Sequence, residues 1–307
     1  MEFSKTKMLA PSFIEALNSL YNSEESWWRK IADDKDVFVL IRKNEMRVQA
    51  NGGLLLHIRQ DQQQKLICKT RGDFISLPSK EKPSVILEED STIDEDSNIP
   101  SVGRVKGLKG LATHYNAIKP RIRLFTRKEK KAVQYLANNI KNVVDIEVGY
   151  EGDMTEGALR TSVPRIDMAA ITDKGTLVFF EVKLFENKEI HSNEIPQVVE
   201  QLKKYQQWMD NNGKDIIAGY QEQLNIYKRL KGNYFMDRRK NFDIIGLHPN
   251  PRLIITGFDK SQRDDRLSLF INGIDKGMDW AAGNKDLIAT GDYRNLAKSN
   301  RLFLGLK

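Results

Sequence analysis

GTLVFFEVKLFE, residues 175–186, is the stretch that decides the fold. Its apolar residues form an almost continuous run, which is typical of a strand buried in a protein core. Glu181 and Lys183 interrupt the run, although charged side chains are seldom buried unless they are paired. Because side chains alternate between the faces of a strand, these two charges point one way and their apolar neighbours point the other. The stretch therefore predicts a core strand that directs two opposite charges to one face.

A second acid lies in an apolar setting just before this strand. The segment SVPRIDMAAI, residues 162–171, has the composition of another strand, and turn residues 172–175 separate the two. The pair is predicted to form a hairpin. Pairing across its turn places Asp167 beside Glu181, on the face that also carries Lys183.

Two carboxylates and a lysine on one strand pair have a direct chemical use. Asp167 and Glu181 can hold Mg²⁺ through oxygen ligands, and the Val182 carbonyl offers a further oxygen. Lys183 can orient or deprotonate metal-bound water, or stabilise a phosphate oxyanion. A partly exposed ion pair near a sheet edge is the alternative interpretation of the same residues.

The next segment, NEIPQVVEQLKKYQQWMDNNG, predicts a long helix that ends at Gly213, and more helix is predicted after it to about Lys231. Gln201 and Tyr205 are four residues apart, so they share one face of that helix. The spacing is common in long helices and is informative here because it follows the acidic strands directly.

The surrounding pattern predicts an α/β protein. Residues 126–141 indicate a helix with Thr126 as N-cap and Glu129 in a capping box, and residues 143–150 indicate a strand. A further strand is predicted at 251–258. The predicted order is helix, three strands, helix, strand.

Asp167, Glu181-Val182-Lys183 and Gln201-x-x-x-Tyr205, taken together, resemble the PD-(D/E)XK nuclease superfamily in its RecB-like branch. The resemblance covers residues 126–258 and implies a restriction-endonuclease-like core in a metal-dependent phosphodiesterase. The implied cofactor is Mg²⁺, with Mn²⁺ as a substitute.

The resemblance also implies roles for individual residues. Asp167 and Glu181 match the metal ligands, with the Val182 carbonyl beside them, and Lys183 matches the catalytic lysine. The residues that match the family's support for the lysine and its contact to the substrate phosphate are Gln201 and Tyr205. An acid in the first core helix often joins such a site. The candidate for that acid is Glu129, and another acid to consider is Glu147. The family's proline is replaced by Ile166.

The N-terminal third has a different pattern. Short β-rich runs between Asp36 and Arg71 predict a meander, with Asn51-Gly52 as a hairpin turn. Residues 1–77 are therefore interpreted as a helix plus a β-meander region, 78–110 as a linker or long loop rich in acids, and 111–307 as the nuclease-like domain. The N-terminal region is a candidate surface for a second copy of the chain, a partner protein or DNA, and because Trp27 and Trp28 are adjacent, one of them is a candidate for an exposed contact.

The amino-acid composition limits the classes of protein to which this chain could belong. The formal net charge is +7, which is compatible with a nucleic-acid partner. One cysteine excludes an internal disulfide, and four scattered histidines argue against a Cys/His metal site. No apolar run approaches the ~20 residues of a membrane helix, and the first residues lack a secretory signal, so a cytoplasmic protein is expected.

Two basic segments are candidates for contact with nucleic acid. Ten Lys or Arg against one acid lie from Arg104 to Lys131. Either phosphate contacts or a solvated helix face explains the basic residues Lys119, Arg121, Arg123, Arg127, Lys128, Lys130 and Lys131. In residues 226–242, aromatic residues alternate with basic ones, which suits either stacking on single strands or packing in a core.

The sequence thus predicts a metal-dependent nuclease that acts on nucleic acid, with DNA favoured over RNA. Antiviral defence, a mobile element and DNA repair are open as its setting. The alternatives are a non-catalytic binding or assembly module with a nuclease fold, and an RNA-cleaving effector regulated by its N-terminal region.

Overall fold

The structure is a computed structural model that describes residues 3–71, 74, 85–87, 107–149, 165–191, 195–238, 243–278, 286–299 and 301–303. It shows a mixed α/β protein with two separate sheets. The chain divides into two compact units. The meander unit comprises Ser4–Gln134 and Gly219–Asn241, and the core-sheet unit comprises Met1–Phe3, Tyr135–Ala218 and Phe242–Lys307. No helix in the described ranges has the length and apolar character needed to cross a membrane.

The meander unit contains a five-stranded antiparallel sheet in which each strand pairs with the next along the chain. Its strands are β1 Val37–Arg42, β2 Glu45–Ala50, β3 Gly53–Gln60, β4 Leu66–Thr70 and β5 Val85–Leu87. Its helices are α1 Pro11–Tyr21, α2 Trp27–Ala32, α3 Gly107–Arg121, the start of α4 Lys128–Asn139, the end of α5 Gln197–Arg229, and α6 Asn233–Arg238.

The predicted hairpin turn between β2 and β3 is present. Asn51 and Gly52 both have positive φ angles, +51° and +80°, as a tight two-residue turn of this hand requires. The turn packs closely against α4, because a Cβ on Gly52 would lie 2.7 Å from the backbone carbon of Lys130. The Gln134 side chain accepts a hydrogen bond from the Gly52 amide and donates one to the Gln49 carbonyl.

Several N-terminal predictions need correction. The N-terminal region was predicted to contain one helix and contains two, α1 and α2, and the Ser26 side chain caps the second by accepting from the Trp28 amide. Trp27 and Trp28 are both buried, so neither is an exposed contact.

The predicted linker 78–110 contains β5 and the first turn of α3, while 78–84 and 88–106 lie outside the described residues. The two units also differ from the predicted division, since the last third of α5, from Gly219 to Arg229, belongs to the meander unit.

Three aromatic residues of the second basic segment belong to the core of the meander unit, and Phe242 lies outside the described residues. Tyr227, Tyr234 and Phe235 are each at most 3% exposed. The Tyr234 hydroxyl accepts a hydrogen bond from the Val39 amide in β1. Of the two interpretations of this segment, core packing explains the spacing of these three rings, because buried rings are not available to stack on nucleic-acid bases.

The core-sheet unit contains a mixed sheet with the order β11-β10-β8-β7-β6, and β9 pairs with the start of β8. Pairing is antiparallel from β6 to β8 and parallel from β8 to β10, β8 to β9 and β10 to β11. The strands are β6 Val143–Val148, β7 Ile166–Ile171, β8 Thr176–Leu184, β9 Gly246–Leu247, β10 Arg252–Thr256 and β11 Leu287–Thr290. The remaining helices are α7 Lys260–Gln262, α8 Ser268–Gly277 and α9 Tyr293–Ser299.

The predicted succession of helix, three strands, helix and strand is observed as α4, β6 to β8, α5 and β10, with α6 and β9 inserted before β10. These two central strands are enclosed by the protein, since every residue of β10 and all but the ends of β8 are buried. Residues 162–164 of the predicted second strand lie outside the described residues.

Helix α5 does not end at Gly213, as its sequence suggested, but continues to Arg229. Met209 and Ile216 are buried on either side of the glycine, seven residues apart and therefore on one face of the helix. Burial of that apolar stripe outweighs the helix penalty of one glycine, which is about 1 kcal/mol.

Replacing this glycine is expected to stabilise the protein. In Gly213→Ala the new Cβ would meet only Leu247, at the ordinary contact distance of 3.7 Å. We expect the free energy of unfolding to rise by about 0.5–1 kcal/mol, because alanine removes the backbone entropy cost of glycine in a helix. Urea denaturation followed by circular dichroism measures this change.

Gly175→Ala is the matched control in the same unit. Gly175 has φ +84°, and a Cβ there would lie 2.6 Å from the Asp243 carbonyl oxygen, so this variant is expected to lose stability. A loss of stability in Gly213→Ala would contradict an uninterrupted helix α5.

Candidate active site

Asp167 and Glu181 are brought together by the pairing of β7 with β8. The register places Met168 opposite Phe180, and the same register puts Asp167 opposite Glu181. The Val182 amide donates a hydrogen bond of 2.9 Å to Oδ2 of Asp167, which fixes this carboxylate against the neighbouring strand. The hairpin therefore has the register that the sequence predicts, and it holds two carboxylates at one end of the strand pair.

Lys183 forms a buried ion pair with the glutamate two residues before it. Lys183 Nζ lies 2.7 Å from Oε1 of Glu181. Glu181 is 1% exposed and Lys183 is 4% exposed, so both charges have been removed from water. Such a pair is tolerated only when the partners compensate each other closely. The two charges thus occupy the core strand as partners on one face.

The environment of Lys183 keeps its side chain protonated. Burial alone lowers the pKa of Lys183, but the charge of Glu181 and hydrogen bonds to Glu181 and Glu189 outweigh burial, with a smaller contribution from Asp167. The net result is a raised pKa. In this state the lysine is suited to stabilising negative charge or orienting water, and less suited to removing a proton.

The side chains of Gln201 and Tyr205 on α5 are hydrogen-bonded to each other and lie next to the start of β7. The Gln201 side-chain amide donates to the Tyr205 hydroxyl at 2.7 Å, and that hydroxyl donates to the Arg165 carbonyl at 2.9 Å. Arg165 is two residues before Asp167. The pair therefore attaches the helix to the backbone that presents the first carboxylate.

Tyr205 is fully buried and its pKa is strongly raised. Burial is the largest cause, followed by the negative charges of Glu181 and Asp167. The phenol therefore stays protonated and acts as a hydrogen-bond donor beside the carboxylates. The structure thus groups five of the six predicted catalytic residues: Asp167, Glu181, Lys183, Gln201 and Tyr205.

The sixth, Glu129, belongs to the meander unit, whereas the other five belong to the core-sheet unit. Helix α4 begins at Lys128, so its N-cap position falls on Arg127 and not on Thr126 as predicted. The Thr126 hydroxyl instead donates to the Ile122 carbonyl. An acid in the first turn stabilises a helix through its dipole, which gives Glu129 a structural role.

Glu147, the other acid considered, lies on β6 at the position opposite Asp167 of β7. The register places Ile146 opposite Met168 and Val148 opposite Ile166. Glu147 has a positive φ of +50°, which is unusual for a residue in a strand, and its carboxylate lies 3.8 Å from the guanidinium of Arg165.

Glu189 is a residue of this site that the sequence interpretation missed. Its Oε2 lies 2.5 Å from Lys183 Nζ, so the ammonium group contacts two carboxylates. Glu189 lies in a 3₁₀ turn, Lys188–Ile190, that follows β8, and the Asn187 side chain caps this turn. The sequence signal that could have identified it is Asn187, a capping residue two positions before Glu189 and shortly after the strand that carries the charges.

A second buried ion pair lies in the same sheet, but its neighbours differ from those of the Glu181–Lys183 pair. Arg252 at the start of β10 lies 3.5 Å from Asp286, and its guanidinium donates to the Leu302 carbonyl at 2.7 Å. Arg252 is opposite Phe180, so strand alternation directs it to the other face of the sheet from Glu181. Its contacts connect chain segments, which indicates a structural pair.

Comparisons with protein-family models, with curated proteins and with solved structures give no match to this chain. Within the ranges that the structure describes, no three or more His, Cys, Asp and Glu side chains are grouped so that they could hold a metal ion. The predicted metal site contains two carboxylates and a backbone carbonyl.

Breaking the buried pair on one side only is expected to be costly. Lys183→Met leaves the Glu181 carboxylate buried without its closest cation, so the free energy of unfolding should fall by about 3–5 kcal/mol. The double variant Glu181→Gln/Lys183→Met removes both charges and should be more stable than Lys183→Met alone. Urea denaturation in EDTA measures both. Additive losses in the double variant would contradict the compensated pair.

Proposed function

We propose that this protein is a metal-dependent nuclease with a restriction-endonuclease-like core of the PD-(D/E)XK type. The observation that carries the proposal is the buried Glu181–Lys183 pair beside Asp167, with the bonded Gln201 and Tyr205 next to it. The sequence motif alone predicted these residues as a set. Their convergence in one unit supports the same chemistry.

The donor set fits Mg²⁺ or Mn²⁺. Mg²⁺ is often held by only one or two carboxylates and keeps several waters or substrate phosphate oxygens, so two carboxylates are sufficient. A strand residue directs its N–H and carbonyl to the same side, and the Val182 N–H points to Asp167. The Val182 carbonyl is therefore directed to the same side as Asp167. These three residues would hold the ion.

When bound, the ion would lower the pKa of water and neutralise charge on a phosphate. Lys183, a cation in this setting, would stabilise the negative charge that develops on the phosphate. The Tyr205 hydroxyl would hold the strand end that carries Asp167 through its hydrogen bond to the Arg165 carbonyl, and the second N–H of the Gln201 amide would be a donor at its margin. The apolar residues of β8 exclude water from the opposite face.

Exposed cations in the meander unit support nucleic acid as the partner. Arg123, Arg127, Lys128 and Lys130 are exposed around the start of α4, where phosphate contacts were predicted. The prediction that Lys119 contacts phosphate needs correction. Its ammonium group lies 2.7 Å from Asp34 and 3.1 Å from Asp36, so these two carboxylates already compensate its charge.

The proposal predicts cleavage that depends on a divalent cation and on both carboxylates. Purified protein should cut members of a panel of linear, circular and single-stranded DNA and RNA only with Mg²⁺ or Mn²⁺. Asp167→Asn and Glu181→Gln should each lower the rate by at least about 10²-fold, because removal of one such electrostatic group typically costs that much. Gel electrophoresis of the cleaved products measures the rates.

Asp173→Asn is the matched control, because Asp173 is an exposed acid in the turn of the same hairpin, bonded to Asn142. It should keep the parent activity. Cleavage in EDTA, or full activity in Asp167→Asn or Glu181→Gln, would contradict the proposal. Nucleic-acid binding without cleavage of any substrate would favour a non-catalytic module, and cleavage of RNA alone would favour an RNA-cleaving effector.

The exposed cations should contribute affinity without sequence preference. Arg123→Ala/Arg127→Ala removes two phosphate contacts, so the dissociation constant for duplex DNA should rise, and the slope of its logarithm against log salt should fall by roughly 2. Fluorescence anisotropy across salt concentrations measures both. Lys35→Ala is the control, since Lys35 is exposed in the same unit between Asp34 and Asp36. An equal effect of Lys35→Ala would show a non-specific effect of net charge.

A further inference from the structure

Glu189 is held in place by local structure rather than by the strand that carries the other charges. Its amide donates to the Asn187 side chain at 3.0 Å, which fixes the start of the 3₁₀ turn. Ile190, the last residue of the turn, is fully buried and anchors it in the core-sheet unit. Glu189 is thereby presented to Lys183 from the segment that follows β8.

The ammonium group of Lys183 thus has two carboxylate partners of different character. Glu181 is buried and is a candidate metal ligand, whereas the side chain of Glu189 is 37% exposed. The distances from Lys183 Nζ are 2.7 Å to Glu181 and 2.5 Å to Glu189. The lysine therefore has a second anchor that is outside the candidate ligand set.

A divalent cation and the Lys183 ammonium group would compete for the same carboxylate. An ion bound by Asp167 and Glu181 repels a cation that lies against Glu181, and this repulsion is strong where water is excluded. The lysine must then lose part of its contact with Glu181. Without another partner it would be a buried and uncompensated charge, which opposes binding of the ion.

We propose that Glu189 is a positioning residue that keeps Lys183 in the site when a divalent cation takes the Glu181 carboxylate. The inference rests on the proposed function, because it assumes that Asp167 and Glu181 bind the ion. Glu189 acts through Lys183 and does not contact the ion or the substrate. Its effect on metal affinity therefore depends on the presence of the lysine.

A double-mutant cycle on metal affinity tests this dependence. Isothermal titration calorimetry with Mn²⁺, in the absence of nucleic acid, is run on the parent chain, Glu189→Gln, Lys183→Met and the double variant. Glu189→Gln should weaken Mn²⁺ binding by about tenfold in the parent background, within the usual range of site-to-site coupling. In the Lys183→Met background, the same substitution should change affinity by less than about twofold, since the coupled partner is gone.

Glu186→Gln is the control for simple loss of negative charge, because Glu186 is an exposed acid in the same connection. It should leave Mn²⁺ affinity unchanged. Circular dichroism checks that each variant is folded, and Lys183→Gln replaces Lys183→Met if the latter fails to fold.

The outcomes separate this inference from the proposed function. An equal loss of affinity in both backgrounds would overturn it, because Glu189 would then act on the ion as a ligand or a plain charge. No effect of Glu189→Gln in the parent background would also overturn it, while leaving a metal-dependent nuclease intact. A parent chain that binds no Mn²⁺ would overturn the proposed function and this inference together.

Discussion

The ion pair between Glu181 and Lys183 is the constraint on which the candidate site depends. A core strand that carries two charges is stable only because each compensates the other at 2.7 Å. Their spacing of two residues puts them on one face, which leaves the alternate residues Phe180 and Val182 free to pack in the core. The same spacing that stabilises the strand brings the two charged groups of the candidate site together.

Two neighbouring elements, β7 and α5, complete the surroundings of this pair. Strand β7 places Asp167 beside Glu181, and helix α5 places the Tyr205 hydroxyl on the Arg165 carbonyl at the start of that strand. Trp208 of α5 also packs edge-on against Phe179, whose side chain is on the face of Glu181, with ring centroids 5.7 Å apart. The helix therefore covers the apolar part of the face that carries the charges.

Much of the β7–β8 hairpin and of the candidate site was predictable from local sequence patterns. Strand alternation and the turn at 172–175 determine the register, and the register sets Asp167 opposite Glu181. A helix end at Gly213 was wrongly predicted within α5, because a glycine penalty of about 1 kcal/mol is small beside the burial of a continuous apolar stripe. Glu189 was missed because its contact with Lys183 arises from a 3₁₀ turn, which has no periodicity in sequence. The division into units follows packing between distant segments, so composition along the chain could not reveal it.

Anomalous diffraction from crystals containing Mn²⁺ tests the central claim most directly, because it locates the ion relative to the charged strand. The account predicts a peak within about 2.1 Å of carboxylate oxygens of Asp167 and Glu181, at the distance usual for small hard cations. Lys183 should remain against Glu189. A Mn²⁺ peak elsewhere, with these two carboxylates unoccupied in a protein that cleaves nucleic acid, would contradict it.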